Sequence, residues 1–369
     1  MRTAWLLPLE KVKGRYTEQW YNNFPKAFVD AAFDVKVIDG EMLTDFVDTG
    51  SWLPMNSTVV FKNSQVTQIA KAFQNKEVKD GDIVFLYDIE FWGFEAIKMM
   101  AQINNIDLKI YGFLHAASYT REDLMEQLTP WQKYTEMGWI AACDKVFVGS
   151  NYHKDAVIQR RVELLSENEE DVKRLRNKIV VTGNPVFQDE YEGMLGIMPN
   201  LKKKQIILPN RFDFEKRPNI SLDIAYNLKK KHPDWNFVIT TSHPKLHSNR
   251  QWLLDKARNM AKDGIIEIRE GLTKAQYHTV LAESRVMLTN SIEENFGYCI
   301  IEAMIYGTYP LAPRGLSHSE LLQDNKFFLY DDLDEVESKI DILIDLCYNM
   351  SEMVEPHYHA LNRIVLNCI

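Results

Sequence analysis

The sequence has 369 residues, of which 46% are hydrophobic and 26% are charged, and its mean hydropathy is −0.30. This length and composition predict a folded protein of two domains and exclude disordered, collagen-like and disulfide-rich proteins. No apolar run approaches the roughly 18 residues of a membrane span, and the first apolar stretch stops at Glu10. The four cysteines are scattered without a zinc-binding spacing, so we expect a cytoplasmic protein with no membrane span.

Charge is unevenly distributed along the chain, which carries a formal net charge of −9. Residues 201–250 hold 11 Lys or Arg against 4 Asp or Glu, whereas residues 316–369 hold 11 Asp or Glu against 3 Lys or Arg. The basic block suits a phosphorylated ligand or a polyanion. A solvated helix face explains some of these lysines equally well, because cations suit the last turn of a helix.

The first half of the chain alternates short apolar runs with helical patterns. The runs predict strands at Thr3–Leu9, Phe33–Ile38, Thr58–Phe61, Ile83–Tyr87, Leu108–Leu114, Lys145–Val148 and Lys178–Val181. Helical patterns lie between several of them, at Val66–Gln74, Phe94–Ile103 and Pro130–Ala142. This alternation predicts a doubly wound parallel sheet.

A second alternating series follows a stretch that is rich in Gly, Pro and Lys. Strands are predicted at Gln205–Leu208, Phe237–Thr241, Ile265–Arg269, Val286–Thr289 and Tyr309–Ala312, and helices at Pro218–Lys231, Asn249–Lys262, Lys274–Glu283 and Tyr298–Tyr306. We therefore predict an α/β protein of two Rossmann-like domains that face each other across a cleft. The expected boundaries are 1–185 for the N-terminal domain, 186–204 for a linker, 205–350 for the C-terminal domain, and 351–369 for a terminal helix packing back on the N-terminal domain.

Two cations follow the first strand of the second domain. Arg211 and Lys216 are five residues apart, in a loop that runs into a helix starting at Pro218. Two cations beside the free N–H groups of a helix start form an anion site that suits a diphosphate. An exposed loop with incidental charges is the alternative.

Two carboxylates flank the start of a later helix. Glu294 lies in the loop after the strand Val286–Thr289, and Glu302 lies within the apolar helical run Tyr298–Ile305. A carboxylate in such a run needs a specific partner, for which ribose hydroxyls would serve. A salt bridge to a neighbouring cation is the alternative. Gly297, at the junction of loop and helix, allows backbone to approach a ligand.

Together these motifs resemble the family 4 retaining glycosyltransferases of GT-B fold. The resemblance is carried by Arg211-x4-Lys216 and by Glu294-x-Phe-Gly-x4-Glu302-Ala. It extends to His115 at the end of a first-domain strand, and to Val181-x-Gly-Asn-Pro, which is similar to the element closing the family's first domain.

The resemblance implies that the protein is an NDP-sugar-dependent hexosyl- or pentosyltransferase. It also implies a role for each of these residues. Arg211 and Lys216 are then expected to bind the diphosphate of a nucleotide-sugar, and Glu302 the ribose. Glu294 and the backbone of Phe296, Gly297 and Tyr298 are expected at the donor sugar. Leu272 is expected beside the base, and His115 is expected to face the sugar from the other domain. Glu294 and His115 are the expected catalytic residues.

No metal or cofactor is expected, because two side-chain cations and a helix dipole supply the charge that stabilises a leaving diphosphate. Asp80-Gly81-Asp82 has the pattern of a metal-binding motif, but it precedes a strand, so we interpret it as a turn. The family's Gly-rich turn after the first strand is reduced here to Gly14 with Lys11, Lys13 and Arg15 around it. That departure suggests an acceptor that carries phosphate.

The acceptor is expected at the first domain, where basic and aromatic residues alternate. Lys13, Arg15, Tyr16 and Trp92 are the predicted acceptor-binding residues, since such residues grip a nucleic-acid backbone and stack a base. The segment that starts at Phe296 is also similar to glycosyltransferases that mannosylate queuosine in transfer RNA. The first hypothesis for the acceptor is therefore a hydroxymethylated base in nucleic acid, as in the DNA that phage glycosyltransferases modify; a phage protein would act in the host cytoplasm.

Other functions stay open. One is transfer to a saccharide or lipid-linked acceptor in envelope or capsule synthesis. Others are a non-hydrolysing sugar-nucleotide epimerase, which shares this fold, and a regulatory protein that binds a nucleotide-sugar without turnover. Donor hydrolysis or sugar transfer by the purified protein separates an enzyme from a binder.

Overall fold

The computed structural model describes residues 2–12, 16–43, 55–122, 124–189, 191 and 202–369. These residues divide into two compact units, of which the first comprises Met1–Val186 together with His359–Ile369 and the second comprises Phe187–Tyr358. Each unit contains one parallel sheet with helices around it, so the predicted fold class of two Rossmann-like α/β domains is confirmed.

The first unit is built on six parallel strands in the order β2-β1-β3-β4-β5-β6. They are β1 (Thr3–Leu7), β2 (Asp34–Val37), β3 (Ile83–Leu86), β4 (Lys109–Phe113), β5 (Lys145–Val148) and β6 (Ile179–Val181). All four residues of β3 are buried, as expected of a central strand that is covered by helices on both faces.

One predicted strand is wrong. Thr58–Phe61 lies inside the helix α2 (Met55–Gln74). The run of Thr, Val, Val and Phe has strand-forming side chains, but the buried positions of α2 recur three or four residues apart, at Thr58, Phe61, Gln65 and Ile69. That spacing is one face of a helix, so packing of this face has outweighed the local β propensity.

The second unit also has six parallel strands, in the order β12-β11-β10-β7-β8-β9. They are β7 (Gln205–Leu208), β8 (Asn236–Thr240), β9 (Glu267–Arg269), β10 (Val286–Leu288), β11 (Tyr309–Pro313) and β12 (Leu329–Tyr330). The two-residue strand β12 was not predicted, because two residues are too short to show a hydrophobic period.

Helices connect the strands of both units. In the first unit they are α1 (Tyr16–Asp30), α2, α3 (Glu95–Ile103), α4 (Thr129–Ala142), α5 (Asn151–Val157), α6 (Glu163–Leu165) and α7 (Glu169–Lys178). In the second unit they are α8 (Pro218–Lys231), α9 (Gln251–Lys262), α10 (Lys274–Glu283), α11 (Tyr298–Ile305), α12 (Leu316–Leu321), α13 (Val336–Asp345) and α14 (Ser351–Tyr358). No helix among the described residues is long and apolar enough to cross a bilayer.

The C-terminal segment forms two helices where one was expected. The first, α14, belongs to the second unit, and α15 (Ala360–Leu366) belongs to the first unit, where it packs against α1. Arg363 of α15 donates to the backbone carbonyl of Thr182 at 2.8 Å, and Lys145 donates to that of Asn367 at 2.8 Å. These bonds attach the last helix to the ends of β6 and β5.

Each sheet contains a point at which its chain order reverses. In the first unit it lies between β1 and β3, and in the second unit it lies between β10 and β7. The connections leave the two strands in opposite directions there, and a crevice opens at their carboxyl ends. The residues that follow these four strands are therefore the ones placed to bind a ligand.

The Asp80-Gly81-Asp82 motif forms a turn at the opposite end of β3. Gly81 has a φ of +83°, in the left-handed region that favours glycine. The buried carboxylate of Asp82 accepts hydrogen bonds from the N–H groups of Thr3 at 2.8 Å and Lys79 at 3.0 Å, and from the indole of Trp5 at 3.2 Å. Asp82 therefore fixes the start of β1 to the turn before β3.

Removal of this carboxylate should destabilise the first unit. Asp82→Ala leaves one buried and two part-buried hydrogen bonds without their acceptor, and we expect a loss of about 3 kcal/mol in the free energy of unfolding. Asp80→Ala is the control, because Asp80 accepts one bond, from the exposed N–H of Asp107, and its loss should stay below about 1 kcal/mol. Urea denaturation curves measure both values, and equal losses would contradict the assignment.

Candidate active site

The site in the second unit begins where β7 and β10 lie side by side. The loop after β7 carries Arg211 and Lys216, and the loop after β10 carries Glu294. Two hydrogen bonds tie the loops together, from the Asn210 side chain to the Thr289 hydroxyl at 2.6 Å and from the Ile292 N–H to the Glu215 carbonyl at 3.0 Å. Residues that are 78 positions apart in the chain thus form one local site.

Lys216 and Glu294 form an ion pair, with 2.9 Å between Nζ and Oε2. Both side chains are mostly buried, with exposed fractions of 13% and 18%. Burial alone would lower the pKa of Lys216 and raise that of Glu294, but their mutual attraction outweighs burial, so the pKa of Lys216 is raised and that of Glu294 is lowered. Both groups are therefore charged at neutral pH.

Arg211 lies closer to solvent and pairs with a different carboxylate. Its Nη2 is 2.9 Å from Oε1 of Glu215, and its side chain is 38% exposed whereas that of Glu215 is 7% exposed. Burial raises the pKa of Glu215 despite the opposing charges of Arg211 and Lys216. Both cations predicted to bind a diphosphate are thus already paired with carboxylates.

The turn between the two cations leads directly into a helix. Phe214–Lys216 form a 3-10 turn, Arg217 has a left-handed φ of 49°, and Pro218 opens α8. Arg217 makes no side-chain cap bond. The reversal at Arg217 places the first turn of α8 directly after Lys216, and the Arg217 carbonyl accepts the N–H groups of Ile220 and Ser221 at 3.0 and 3.4 Å.

Gly297 occupies the position before α11 and has a φ of +91°. A Cβ at this position would lie 3.4 Å from Cγ of Glu294. Phe296 is buried and its carbonyl accepts a bond from the Ser317 hydroxyl at 3.0 Å, while Tyr298 begins α11. Glycine is therefore favoured here by its left-handed backbone conformation.

Glu302 lies one turn further along α11, and its side chain is 15% exposed. Its Oε2 accepts a hydrogen bond from the Tyr277 hydroxyl at 3.1 Å, and its Oε1 is 3.9 Å from Nε2 of the buried His278. The specific partner that was expected for this carboxylate is thus supplied in part by α10. Tyr277 holds Glu302 in place, and neither Tyr277 nor His278 was identified from the sequence.

Leu272 is positioned by a tight turn after β9. Gly271 has a φ of +66° and donates to the His243 carbonyl at 2.8 Å, and Leu272 donates to the Thr241 carbonyl at 3.1 Å. Thr273 then caps α10 together with Gln276. Leu272 is half-buried at the carboxyl end of β9, on the same edge of the sheet as Arg211 and Glu294.

In the first unit, His115 follows β4 and lies among aromatic rings. Its Nε2 is 2.9 Å from the Tyr87 carbonyl, which can only accept, so Nε2 carries the proton. Burial lowers the pKa of His115, and Asp88 opposes this shift only in part, so the imidazole is neutral at pH 7. The rings of Tyr16 and Trp20 lie 5.5 and 4.9 Å from it.

The predicted acceptor-binding residues have different outcomes. Tyr16 is half-buried beside His115, and Trp92 is half-buried with its ring 5.9 Å from that of Trp139. Lys13 and Arg15 lie outside the described residues. Their assignment therefore stays a prediction.

An ion pair next to His115 was not among the predicted site residues. Lys62 of α2 is buried, with its Nζ 3.0 Å from Oδ2 of Asp88, and it also donates to the Glu90 carbonyl. Burial would raise the pKa of Asp88, but Lys62 and His115 outweigh it and hold the pKa below its usual value. Asp88 is found from the sequence by its position after the strand β3. Lys62 gives no such signal, because it lies within the helix α2, just after the segment Thr58–Phe61 that was wrongly predicted as a strand.

Most of the second unit is similar to a known protein family. Residues 197–353 match the model of the family Glycosyl transferases group 1. A sucrose-phosphate synthase from Thermosynechococcus elongatus is similar over 100% of this chain and 97% of its own, at 13% identity and a TM-score of 0.65. The apo form of the lipopolysaccharide outer core galactosyltransferase WaaB is similar over the full length of both chains, at 14% identity and a TM-score of 0.60.

The chain spans a smaller share of some other matches. The match to a chain of the GtfA/B complex covers 83% of this protein and 61% of that chain, at 13% identity and a TM-score of 0.54. At such identities the likeness shows the fold, whereas the family match concerns the second unit. Residues 197–353 are therefore similar to the family Glycosyl transferases group 1, in a chain whose two parallel-sheet Rossmann-like units match the fold of glycosyltransferase structures of GT-B type.

Proposed function

We propose that the protein is a retaining glycosyltransferase that moves a hexose or pentose from a nucleotide-sugar to a hydroxyl acceptor. The observation that carries the proposal is the pairing of Lys216 with Glu294 between β7 and β10, with Arg211 five residues before the lysine. The family match over residues 197–353 supports sugar transfer as the activity. The identity of the donor and acceptor rests on the chemistry of the site.

The diphosphate of the donor binds Arg211 and Lys216 beside the start of α8. Negative charge develops on the diphosphate as the bond to the sugar breaks, and these fixed positive groups stabilise that charge. Glu302, held by Tyr277, accepts hydroxyl bonds from the ribose. Leu272 borders the base. No metal is required in this scheme, since the cations of the chain supply the charge.

Glu294 binds a hydroxyl of the donor sugar and does not attack it. A carboxylate whose Oε2 is already 2.9 Å from an ammonium group is a weak nucleophile but a good hydrogen-bond acceptor. The acceptor then attacks the face that the diphosphate leaves, and the leaving phosphate oxygen takes the acceptor proton. An α-linked donor gives an α-linked product by this route.

The first unit binds the acceptor at the edge that carries His115 and Asp88. The ionised Asp88 is an acceptor of hydrogen bonds, and its side chain is 12% exposed, so it suits a ligand that presents hydroxyl groups. A hydroxymethylated base in nucleic acid and a saccharide both present such groups. Our first hypothesis is the nucleic acid, and it rests on Lys13 and Arg15 as contacts to its phosphates.

Loss of either cation should weaken donor binding. Lys216→Ala and Arg211→Ala should each bind both a nucleoside diphosphate and the intact donor about tenfold to a hundredfold more weakly, since each removes a charge-assisted bond worth about 1.5–3 kcal/mol. Lys256→Ala is the control, because Lys256 pairs with Asp223 at the surface. Isothermal titration calorimetry measures these affinities, and unchanged diphosphate binding in both variants would exclude this site.

Removal of the charge of Glu294 should slow transfer without trapping an intermediate. We expect Glu294→Gln to lower turnover by about a hundredfold or more, because the sugar loses a charged hydrogen-bond partner. Mass spectrometry of the stalled variant should show no covalent sugar, and the wild-type product should keep the donor's anomeric configuration by NMR. The assay is run both with and without EDTA. An inverted product, or single-turnover chemistry abolished by EDTA alone, would contradict the scheme.

The acceptor class is tested with salt. If the acceptor is nucleic acid, replacement of Lys13 and Arg15 by Ala should weaken its binding and reduce the slope of log affinity against log salt by about two, one for each lost phosphate contact. Donor affinity should not change. Salt-independent acceptor kinetics that are equal in the double variant and the wild type would favour a saccharide acceptor. Donor binding without transfer or hydrolysis in any condition would indicate a regulatory binder.

A further inference from the structure

Glu215 is a buried carboxylate for which the proposed function has no role. It lies in the 3-10 turn Phe214–Lys216, directly before the lysine of the ion pair, and its side chain is 7% exposed. Its Oε1 is 2.9 Å from Nη2 of Arg211. Its Oε2 is buried and has no hydrogen-bond partner among the described residues. Such an atom is costly when charged and is satisfied more cheaply when it carries a proton.

The charges of the ligand-free site are balanced before a donor arrives. Arg211 and Lys216 contribute two positive charges, and Glu215 and Glu294 contribute two negative charges in the same pairs. The diphosphate of a nucleotide-sugar brings two further negative charges to the same cations. One way to restore the balance is for a carboxylate of the site to take up a proton.

The two carboxylates differ in how readily they accept that proton. Glu294 is held in its charged form by Lys216, which keeps its pKa low. Glu215 pairs with Arg211, whose side chain is 38% exposed. Burial and the negative charge of Asp213 raise the pKa of Glu215, although the positive charges of Arg211 and Lys216 act to lower it. When a diphosphate occupies Arg211, Glu215 loses part of its counter-charge and gains an anion nearby, and both changes favour the protonated form.

We propose that Glu215 takes up a proton when the donor diphosphate binds to Arg211, so that donor affinity is coupled to pH. This inference rests on the proposed function, because it requires a diphosphate at that site. The protonated Glu215 releases Arg211 to the ligand and no longer repels it. Glu215 is thus a positioning residue that keeps Arg211 in place in the empty site.

Proton uptake on binding fixes the direction in which donor affinity changes with pH. A binding reaction that takes up a proton becomes weaker as pH rises, so affinity should fall by up to tenfold for each pH unit between the pKa of Glu215 in the empty site and its higher pKa in the complex. Glu215→Gln mimics the protonated acid in shape. We therefore expect its donor affinity to be equal to or greater than that of the wild type at pH 8 and nearly independent of pH.

The test is calorimetric titration of the full chain with UDP-glucose, GDP-mannose and ADP-glucose. Their diphosphates are esterified at both ends and do not titrate near neutral pH, so any proton exchanged belongs to the protein. Titrations at one pH in buffers of different ionisation enthalpy give the number of protons taken up. We expect an uptake approaching one proton per bound donor in the wild type and none in Glu215→Gln.

Glu283→Gln is the matched control, because Glu283 pairs with Lys203 away from the site, at 2.7 Å. It should retain the proton uptake of the wild type. Donor binding without proton exchange in the wild type, or the same exchange in Glu215→Gln, would overturn the inference and leave the proposed function intact. A wild type that binds none of the three donors would instead contradict the proposed function.

Discussion

The ion pair between Lys216 and Glu294 is the interaction on which the candidate site depends. It joins the loops that follow two neighbouring strands, and each partner keeps the other charged although both are mostly buried. Without the lysine, the carboxylate would be an uncompensated buried charge, which is strongly destabilising. The backbone at Gly297 lies beside this pair, since a Cβ on that glycine would be 3.4 Å from Cγ of Glu294.

Much of the fold follows from local sequence patterns. Strands such as Lys145–Val148 and Gln205–Leu208 were predicted with their observed bounds, because a short apolar run between polar residues has few alternatives in a parallel sheet. Thr58–Phe61 was predicted wrongly for a related reason. A run of four β-branched and aromatic residues carries too little information to show that its buried face has the period of a helix.

The site was predictable only where it depends on residue type after a strand. Arg211, Lys216 and Glu294 follow strands, so sequence and the doubly wound fold together bring them to one edge. Two partners of site residues were not predictable, because the pairing of Tyr277 with Glu302 and that of Lys62 with Asp88 depend on how helices pack. Arg211 and Lys216 were expected to bind a diphosphate, and the structure shows each paired with its own carboxylate.

The chain path through α15 affects how the protein can fold during synthesis. The first unit contains residues 359–369, which the ribosome makes only after the whole of the second unit. Until then, the Thr182 carbonyl lacks its bond from Arg363 and the Lys145 ammonium group lacks the Asn367 carbonyl. The N-terminal unit, although made first, therefore reaches its final packing last, and the chaperones of the cell meet it with the surface that α15 covers still exposed.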